Sequence, residues 1–221
     1  MKLRSTAHDF FSEEEKERIK ATTRDVESHT IGEIVVMVVW SSDPYAEADF
    51  LGGVLLGCLV SIILTALFFH SSMWYFVPLS VVFYLPCEWV VKKWGTLKGL
   101  LISLERKEDA VCRRALSAFY EHWLYKTHRH TGILFLLSLL ERKVWILADK
   151  GIHEKIGQER LNQFVTLVSQ GIRDERPCEG LCEAIRKIGE LLSEYFPMVP
   201  GDTNELPDDV ITEEVPPSKP L

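Results

Sequence analysis

The stretch that decides the fold runs from Phe50 to Val91 and begins FLGGVLLGCLVSIILTALFF. It contains no Lys, Arg, Asp or Glu between Phe50 and Cys87. Its first half supplies about 20 apolar residues, which at a rise of about 1.5 Å each match the roughly 30 Å hydrocarbon core of a bilayer. The polar break His70-Ser71-Ser72 follows, and MWYFVPLSVVFYLPCEWVV then runs back to Lys92. The pattern predicts a transmembrane helical hairpin.

Two other arrangements of this stretch stay open at the level of sequence. The hairpin could be buried inside a large soluble core, although core helices rarely need so long an uncharged run. It could also dip into one leaflet, because Pro78 and Pro86 can kink the second segment. Proline is nevertheless tolerated in spanning helices, where neighbouring groups satisfy the freed carbonyls. We therefore expect two spans.

The basic residues around the hairpin predict its orientation. Five of them follow the second segment, namely Lys92, Lys93, Lys98, Arg106 and Lys107, whereas the tip carries only His70. By the positive-inside rule, both termini of the chain are expected on the cytoplasmic side of a cell membrane. The expected partners are therefore the lipid bilayer and a membrane protein or a second copy of the chain.

The roughly 180 residues outside this stretch are enough for about one soluble domain. The net charge of the 221-residue chain is −7, which argues against a nucleic-acid partner. Its five cysteines form no CxxC pair, so neither a disulfide framework nor a zinc site is indicated. Cys178 and Cys182 lie one helical turn apart and are expected to be packing residues.

The soluble elements alternate between helical and strand patterns. Ser12 to Glu15 forms a capping box that predicts a helix to about His29, and the β-branched run Glu33–Trp40 predicts a strand covered on both faces. After the hairpin, Trp94–Leu104 suits the membrane surface. The periodicity predicts three more helices, over about 104–125, 153–172 and 178–195, and two hairpin-linked strands, 132–138 and 143–149.

These elements predict a mixed sheet, because a strand, a helical crossover and a return strand form a βαβ unit before the hairpin-linked strand. The hairpin is an insertion in that fold. The expected domains are a discontinuous α/β domain over 1–49 and 92–196, the hairpin over 50–91, and a disordered tail rich in acidic residues and proline over 197–221.

Residues at the junctions of these elements resemble the TPM domain family. The resemblance rests on five segments, Ser12-Glu13-Glu14, Thr30–Val36, Thr131–Leu134, Arg142–Gly151 and Asn204–Asp208. The chain looks most like the bacterial membrane proteins of that family that carry a hydrophobic hairpin after the first strand. The resemblance implies an α/β/α sandwich with a small mixed sheet.

The family also implies several functions. Some members are described as acid phosphatases or calcium binders, and others look like factors in the assembly or repair of membrane complexes. Many members carry Asp-Asn-Gly before the second strand, where this chain has His130-Thr131-Gly132. That difference removes two oxygen ligands, so calcium is implied only by resemblance and we expect no cofactor or metal.

The expected cleft lies where the first and second strands end, since ligands in open α/β sheets favour that edge. The residues that could face such a site are Glu33, Thr131, Gly132, Arg142, Asp149 and Gly151. The more conservative interpretation assigns the two glycines to turns and the charged residues to solvated strand ends. The group His122, His128 and His130 does not have the spacing of a metal site.

Gly53 and Gly57 form a GxxxG pattern that lets another helix approach, either the return span or a partner. No common catalytic motif occurs in the chain. Two functions follow as hypotheses. The first is a non-enzymatic, membrane-anchored interaction or assembly module, and the alternative is a metal-assisted, phosphatase-like hydrolase.

Overall fold

The computed structural model describes residues 6–68, 73–127, 129–199 and 205–214. The strands are β1 (Glu33–Val39), β2 (Gly132–Ser138), β3 (Lys143–Ala148) and β4 (Ile211–Glu213). The helices are α1 (Glu13–Glu27), α2 (Ala46–Phe68), α3 (Met73–Lys93), α4 (Gly95–Leu101), α5 (Leu104–Glu121), α6 (Lys150–Ile156), α7 (Gln158–Arg173) and α8 (Pro177–Tyr195).

The start of α1 confirms the predicted capping box. The Glu15 N–H donates to Ser12 Oγ at 3.2 Å, and the Ser12 N–H donates to the Glu15 carboxylate at 2.7 Å. These bonds satisfy two amides that a helix start leaves without intrahelical partners. The helix ends near the predicted position and leads into β1.

The sheet is mixed, as predicted, and its strand order is β3-β2-β1-β4. β1 and β2 run parallel with Glu33 opposite Gly132, and β2 and β3 run antiparallel with Ile133 opposite Ala148. All seven residues of β1 and of β2 are buried, because helices cover both faces of the sheet.

Two apolar cores lie on the two faces of this sheet. One face packs against α1, α6, α7 and α8 through residues such as Val36, Phe135 and Ile185. The other face packs against α5 and the short 3₁₀ turn Leu124–Lys126, through Met37 and Leu136. The described residues of the α/β part therefore form three layers, helix, sheet and helix.

The helix predicted over 153–172 is wrong in its extent. The structure has two helices there, α6 and α7, and Gly157 separates them with φ +78°. A left-handed backbone is open to glycine at little cost and ends an α-helix. The helix predicted to reach Tyr125 also stops early, at Glu121, before Trp123 with φ +61°.

The tail is ordered where it was predicted to be disordered. Over the described residues 205–214, it adds β4 to β1 as a parallel strand, with Met37 opposite Ile211. Two ion pairs attach this segment to α1: Lys20 to Asp209 at 2.6 Å and Arg24 to Asp208 at 2.8 Å. A three-residue strand held by residues far away in the chain leaves no local periodicity to recognise.

The chain divides into two compact units, residues 1–43 with 109–221, and residues 44–108. The second unit contains α2 and α3, which are long and apolar enough to cross a membrane by length and composition. It extends beyond the predicted hairpin in both directions. The predicted break at residues 70–72 lies outside the described residues.

Candidate functional site

Five of the six predicted site residues lie together, but at the edge where β1 and β2 begin. Glu33 pairs with Gly132 at the first register position of the parallel strands. The Asp149 N–H donates to the Gly132 carbonyl at 2.9 Å, which brings the end of β3 to the same edge. Thr131 and Gly151 adjoin these residues in the chain. The predicted cleft at the other edge does not contain them.

Arg142 is the exception. It lies in the turn between β2 and β3, at the edge where β1 and β2 end, and it is exposed with φ +54°. Arg142 and Asp149 flank the six residues of β3, so they are roughly 20 Å apart at about 3.3 Å per residue. The prediction that Arg142 shares one cleft with the other five residues is therefore wrong.

The polar residues at the starting edge are engaged with the backbone. The Thr131 hydroxyl donates to the Ile31 carbonyl at 2.9 Å, and the Thr131 N–H donates to the Thr127 hydroxyl at 3.0 Å. Glu33 is buried, and its carboxylate accepts the Glu205 N–H at 3.2 Å. These contacts fix the backbone where β1 and β2 begin.

The two glycines at this edge allow close backbone approach. A Cβ on Gly132 would come within 2.6 Å of the Leu124 carbonyl oxygen, and a Cβ on Gly151 within 2.7 Å of the His130 carbonyl oxygen. Both clashes involve backbone atoms, which cannot easily move aside. The structure thus gives both glycines a packing role.

Asp149 caps α6 and contacts a histidine. Its carboxylate accepts the Lys150 N–H at 2.7 Å and lies 3.2 Å from His130 Nδ1. His122 belongs to a different group near β4, and His128 lies outside the described residues. The described histidines of this group, His122 and His130, therefore make separate local contacts.

A buried hydrogen-bond network, which the sequence did not single out, lies at the end of the sheet where β1 and β2 finish. Glu141 accepts the Ser42 N–H at 2.9 Å and the Ser138 hydroxyl, and the Ser42 and Ser138 hydroxyl oxygens are 2.8 Å apart. All three residues are buried. Nothing in the turn sequence distinguishes Glu141 from a solvated carboxylate. The network anchors the chain just before it leaves for α2.

Glu27 joins α1, β1 and the tail. Its carboxyl group accepts the Ile34 N–H at 2.8 Å and is hydrogen-bonded to the Asp208 side chain. Burial, together with the nearby carboxylates of Glu33 and Asp208, raises the pKa of Glu27 to about 9. The side chain is thus protonated at neutral pH and can donate to Asp208.

A second polar group lies beside β4. The guanidinium of buried Arg114 donates to Glu121 at 2.9 Å and to Glu213 at 2.5 Å. Ligand atoms of Glu121, His122 and Glu213 lie within 4.8 Å of one another, a spacing open to a metal ion. Burial lowers the pKa of His122, which keeps its imidazole neutral. The Arg114 guanidinium already bonds to both carboxylates.

A groove of about 310 Å³ lies between β3 and α7. Its lining residues from β3 and the turn before it are Arg142, Lys143, Val144, Trp145 and Ile146, and those from α7 are Gln158, Asn162, Val165 and Ser169. Arg142 is thus the predicted site residue that borders this concave surface. The groove volume falls at the lower end of the range for ligand pockets.

The remaining candidates have packing roles. Cys178 and Cys182 lie on α8 and are buried in the core, and burial raises the pKa of the Cys178 thiol to about 12. A Cβ on Gly53 would meet Glu88 Cβ at 2.9 Å, and one on Gly57 would meet the Tyr84 backbone at 3.3 Å. The GxxxG pattern therefore faces the return helix α3, one of its two expected partners.

Comparison with known proteins gives a likeness in fold. No family model matches the chain, and no curated protein matches it. Among solved structures, the NMR structure of the BA42 protein from the psychrophilic bacterium Bizionia argentinensis is similar, with a TM-score of 0.58. The match covers 92% of this chain and 95% of that one at 19% sequence identity. It supports the mixed α/β architecture.

Proposed function

We propose that the chain is a membrane-anchored protein of the TPM type that acts as a non-enzymatic interaction or assembly module at the cytoplasmic face. The observation that carries this proposal is the apolar surface of α2 and α3, inserted between β1 and β2. Large apolar side chains on both helices are exposed, among them Leu55, Leu67, Val77 and Trp89. Lipid is the environment that would cover them at no desolvation cost.

The geometry of the polar residues supports a binding role over phosphoryl transfer. That reaction needs a cationic clamp and a positioned nucleophile at one place. Arg142 and Asp149, the pair suggested by the sequence, lie at opposite ends of β3. The buried serines at the end of β1 and β2 bond to Glu141 and to each other.

An enzymatic assay tests the non-enzymatic part of the proposal. The purified full-length chain in detergent should not hydrolyse generic phosphomonoesters at acid or neutral pH, with or without calcium, magnesium or zinc. Turnover that copurifies with the chain and disappears in Asp149→Ala, while Lys150→Ala retains it, would reverse the proposal in favour of a phosphatase-like hydrolase.

Extraction and labelling test the membrane part. The chain should stay with membranes in high salt and alkali and leave them in detergent, because apolar burial rather than charge holds it. A cysteine at Ser71 should be labelled from outside the cytoplasm, and one at Pro217 should not. Labelling of both only after lysis would favour a hairpin that dips into one leaflet.

A further inference from the structure

β3 is a terminal strand of the described sheet: it pairs with β2 alone and is six residues long, whereas the other terminal strand, β4, has three residues. The Asp149 N–H donates to Gly132, so in antiparallel alternation Leu147, Trp145 and Lys143 also direct their backbone groups to β2. Val144 and Ile146 then direct their N–H and C=O groups outward. Both residues line the groove beside α7.

The α7 side of the groove presents a polar stripe. Gln158, Asn162, Val165 and Ser169 recur at spacings of four, three and four residues and so lie on one helix face. Gln158 Nε2 donates to Asn162 Oδ1 at 3.1 Å. Amide and hydroxyl groups on this face can bond to a chain that runs between the helix and the strand edge.

We propose that this groove binds an extended, acidic peptide segment of a partner protein, which adds to β3 as a further strand. The inference rests on the proposed function and names the surface through which the module would bind. Added strands lie about 4.8 Å from the edge strand and pair through main-chain hydrogen bonds. Alternate side chains of the segment would face α7 and Trp145.

Charge is what selects an acidic segment. The groove lining contains the exposed cation Arg142 and no carboxylate, although the chain as a whole carries a net charge of −7. Arg142 lies at one end of β3, so an Asp or Glu at the matching end of the segment would fix its register. Arg142 can bind a carboxylate through two parallel N–H groups.

Steric argument favours a peptide over a second copy of the chain. Each copy carries its own α7 beside this edge, so two β3 edges meeting would bring two helices into one narrow groove. A single extended segment brings no helix with it. An extended stretch of about five residues spans about 17 Å and suffices to pair along β3.

Selection from a library of random heptapeptides displayed on phage tests the proposal. The target is the full-length chain in detergent, and the counter-selection target is Asn162→Trp, an exposed substitution that fills the groove. Enriched peptides should alternate β-branched with other residues and carry Asp or Glu towards one end. Their affinity, measured by fluorescence anisotropy, should fall at least tenfold in Asn162→Trp and in Arg142→Glu.

A matched pair of variants separates main-chain pairing from side-chain contact. Val144→Pro removes an outward N–H, whereas Val144→Ala loses similar packing and keeps the N–H. Binding should be lost in the first and kept in the second, with circular dichroism confirming the fold of both. Enriched peptides that bind the groove-blocked variants equally well would overturn the proposal. So would a concentration-dependent dimer that Asn162→Trp abolishes, since the occupant would then be a second copy.

Photocrosslinking in native membranes distinguishes failure of this inference from failure of the proposed function. A crosslinker at Asn162 should trap one defined partner, and the enriched peptide should compete with that product. The control position is Glu190, exposed on α8. Products from Glu190 but not from Asn162 would leave the module intact and refute the groove. Absence of products from a panel of exposed positions would refute the module as well.

Discussion

The two sides of the sheet differ in what their outward-facing backbone amides contact. On the β1 edge the outward amides are bonded by the chain itself: Ile34 donates to the Glu27 carboxyl group at 2.8 Å, and Trp40 donates to the Glu213 carbonyl at 2.9 Å. On the β3 edge the outward amides of Val144 and Ile146 face a groove. Open edges are sites of pairing with other chains, so proteins usually cover them. The tail covers the β1 side with the three-residue β4, whereas the six-residue β3 keeps an uncovered edge, where we propose that recognition takes place.

Among the variants that test this difference, removal of the tail should cause the largest loss of stability. A chain ending before Glu205 loses β4 and the bond from Arg114, whose side chain is 3% exposed, to Glu213, while the bond from Arg114 to Glu121 remains. Loss of a hydrogen bond between charged groups costs about 2 kcal/mol, in addition to the hydrogen bonds of β4. Hydrogen exchange of the β1 amides should report this loss of protection, and the truncated chain should self-associate more readily.

Two controls accompany that truncation. A chain ending after Glu214 retains β4 and should match the full-length protein. Glu213→Gln in the full-length chain, which removes the ion pair and keeps β4, should cause a smaller loss than the truncation before Glu205. Equal protection in both truncated chains would show that the tail contributes little to the β1 edge.

Proline substitutions along β3 should give the next largest effect. Leu147→Pro removes an N–H that bonds to β2 and leaves a buried carbonyl unsatisfied, which costs at least about 2 kcal/mol beyond the matched Leu147→Ala. Ala148→Pro removes an outward N–H and should cost less than about 1 kcal/mol. Thermal unfolding compares the variants. A reversed order would mean that the alternation along β3 is the opposite of the one described.

Glu27 should make the β1 edge sensitive to pH. Its pKa is about 9 in the folded chain against an ordinary value of 4.5, so the folded state keeps a proton that the unfolded state releases. Stability from this group is complete below about pH 4.5 and is lost as pH rises towards 9, by up to about 1.4 kcal/mol per pH unit. Unfolding free energies of Glu27→Gln should therefore fall less steeply between pH 6 and 8. Parallel curves for the two proteins would contradict a protonated Glu27.

The smallest effect belongs to Lys20, which pairs with exposed Asp209 on the tail. Exposed ion pairs contribute little because water and salt screen them. Lys20→Gln should leave the midpoint of thermal unfolding unchanged. A marked decrease would mean that charge at the surface, rather than Glu27 and Arg114 beneath it, holds the tail in place.

Regular elements were predictable because their patterns are local. The capping box at Ser12, the buried run of β1 and the two strands of the β2–β3 hairpin required only neighbouring residues. The break at Gly157 was missed because apolar periodicity continues across it. The strand β4 was missed because its partners are distant in sequence.

The candidate site was predicted less well for the same reason. Gly132 and Asp149 do meet, since adjoining strand ends bring them together. Arg142 was grouped with them, although the length of β3 separates it from Asp149 and places it at the other end of the strands. Residue types do not reveal the direction of a strand. Buried Glu141 and protonated Glu27 resemble surface carboxylates in sequence, and only tertiary contacts distinguish them.

The Ser42–Ser138–Glu141 network also has a mechanical consequence. The chain leaves β1 through residues 40–45 to reach α2, so tension on α2 would reach the α/β part at Ser42. Its N–H is tied to Glu141, in the turn that follows β2. Because β1 and β2 are parallel and paired along their whole length, such a pull would load their hydrogen bonds together in shear. Force applied at α2 would thus be shared among these hydrogen bonds rather than break them one at a time.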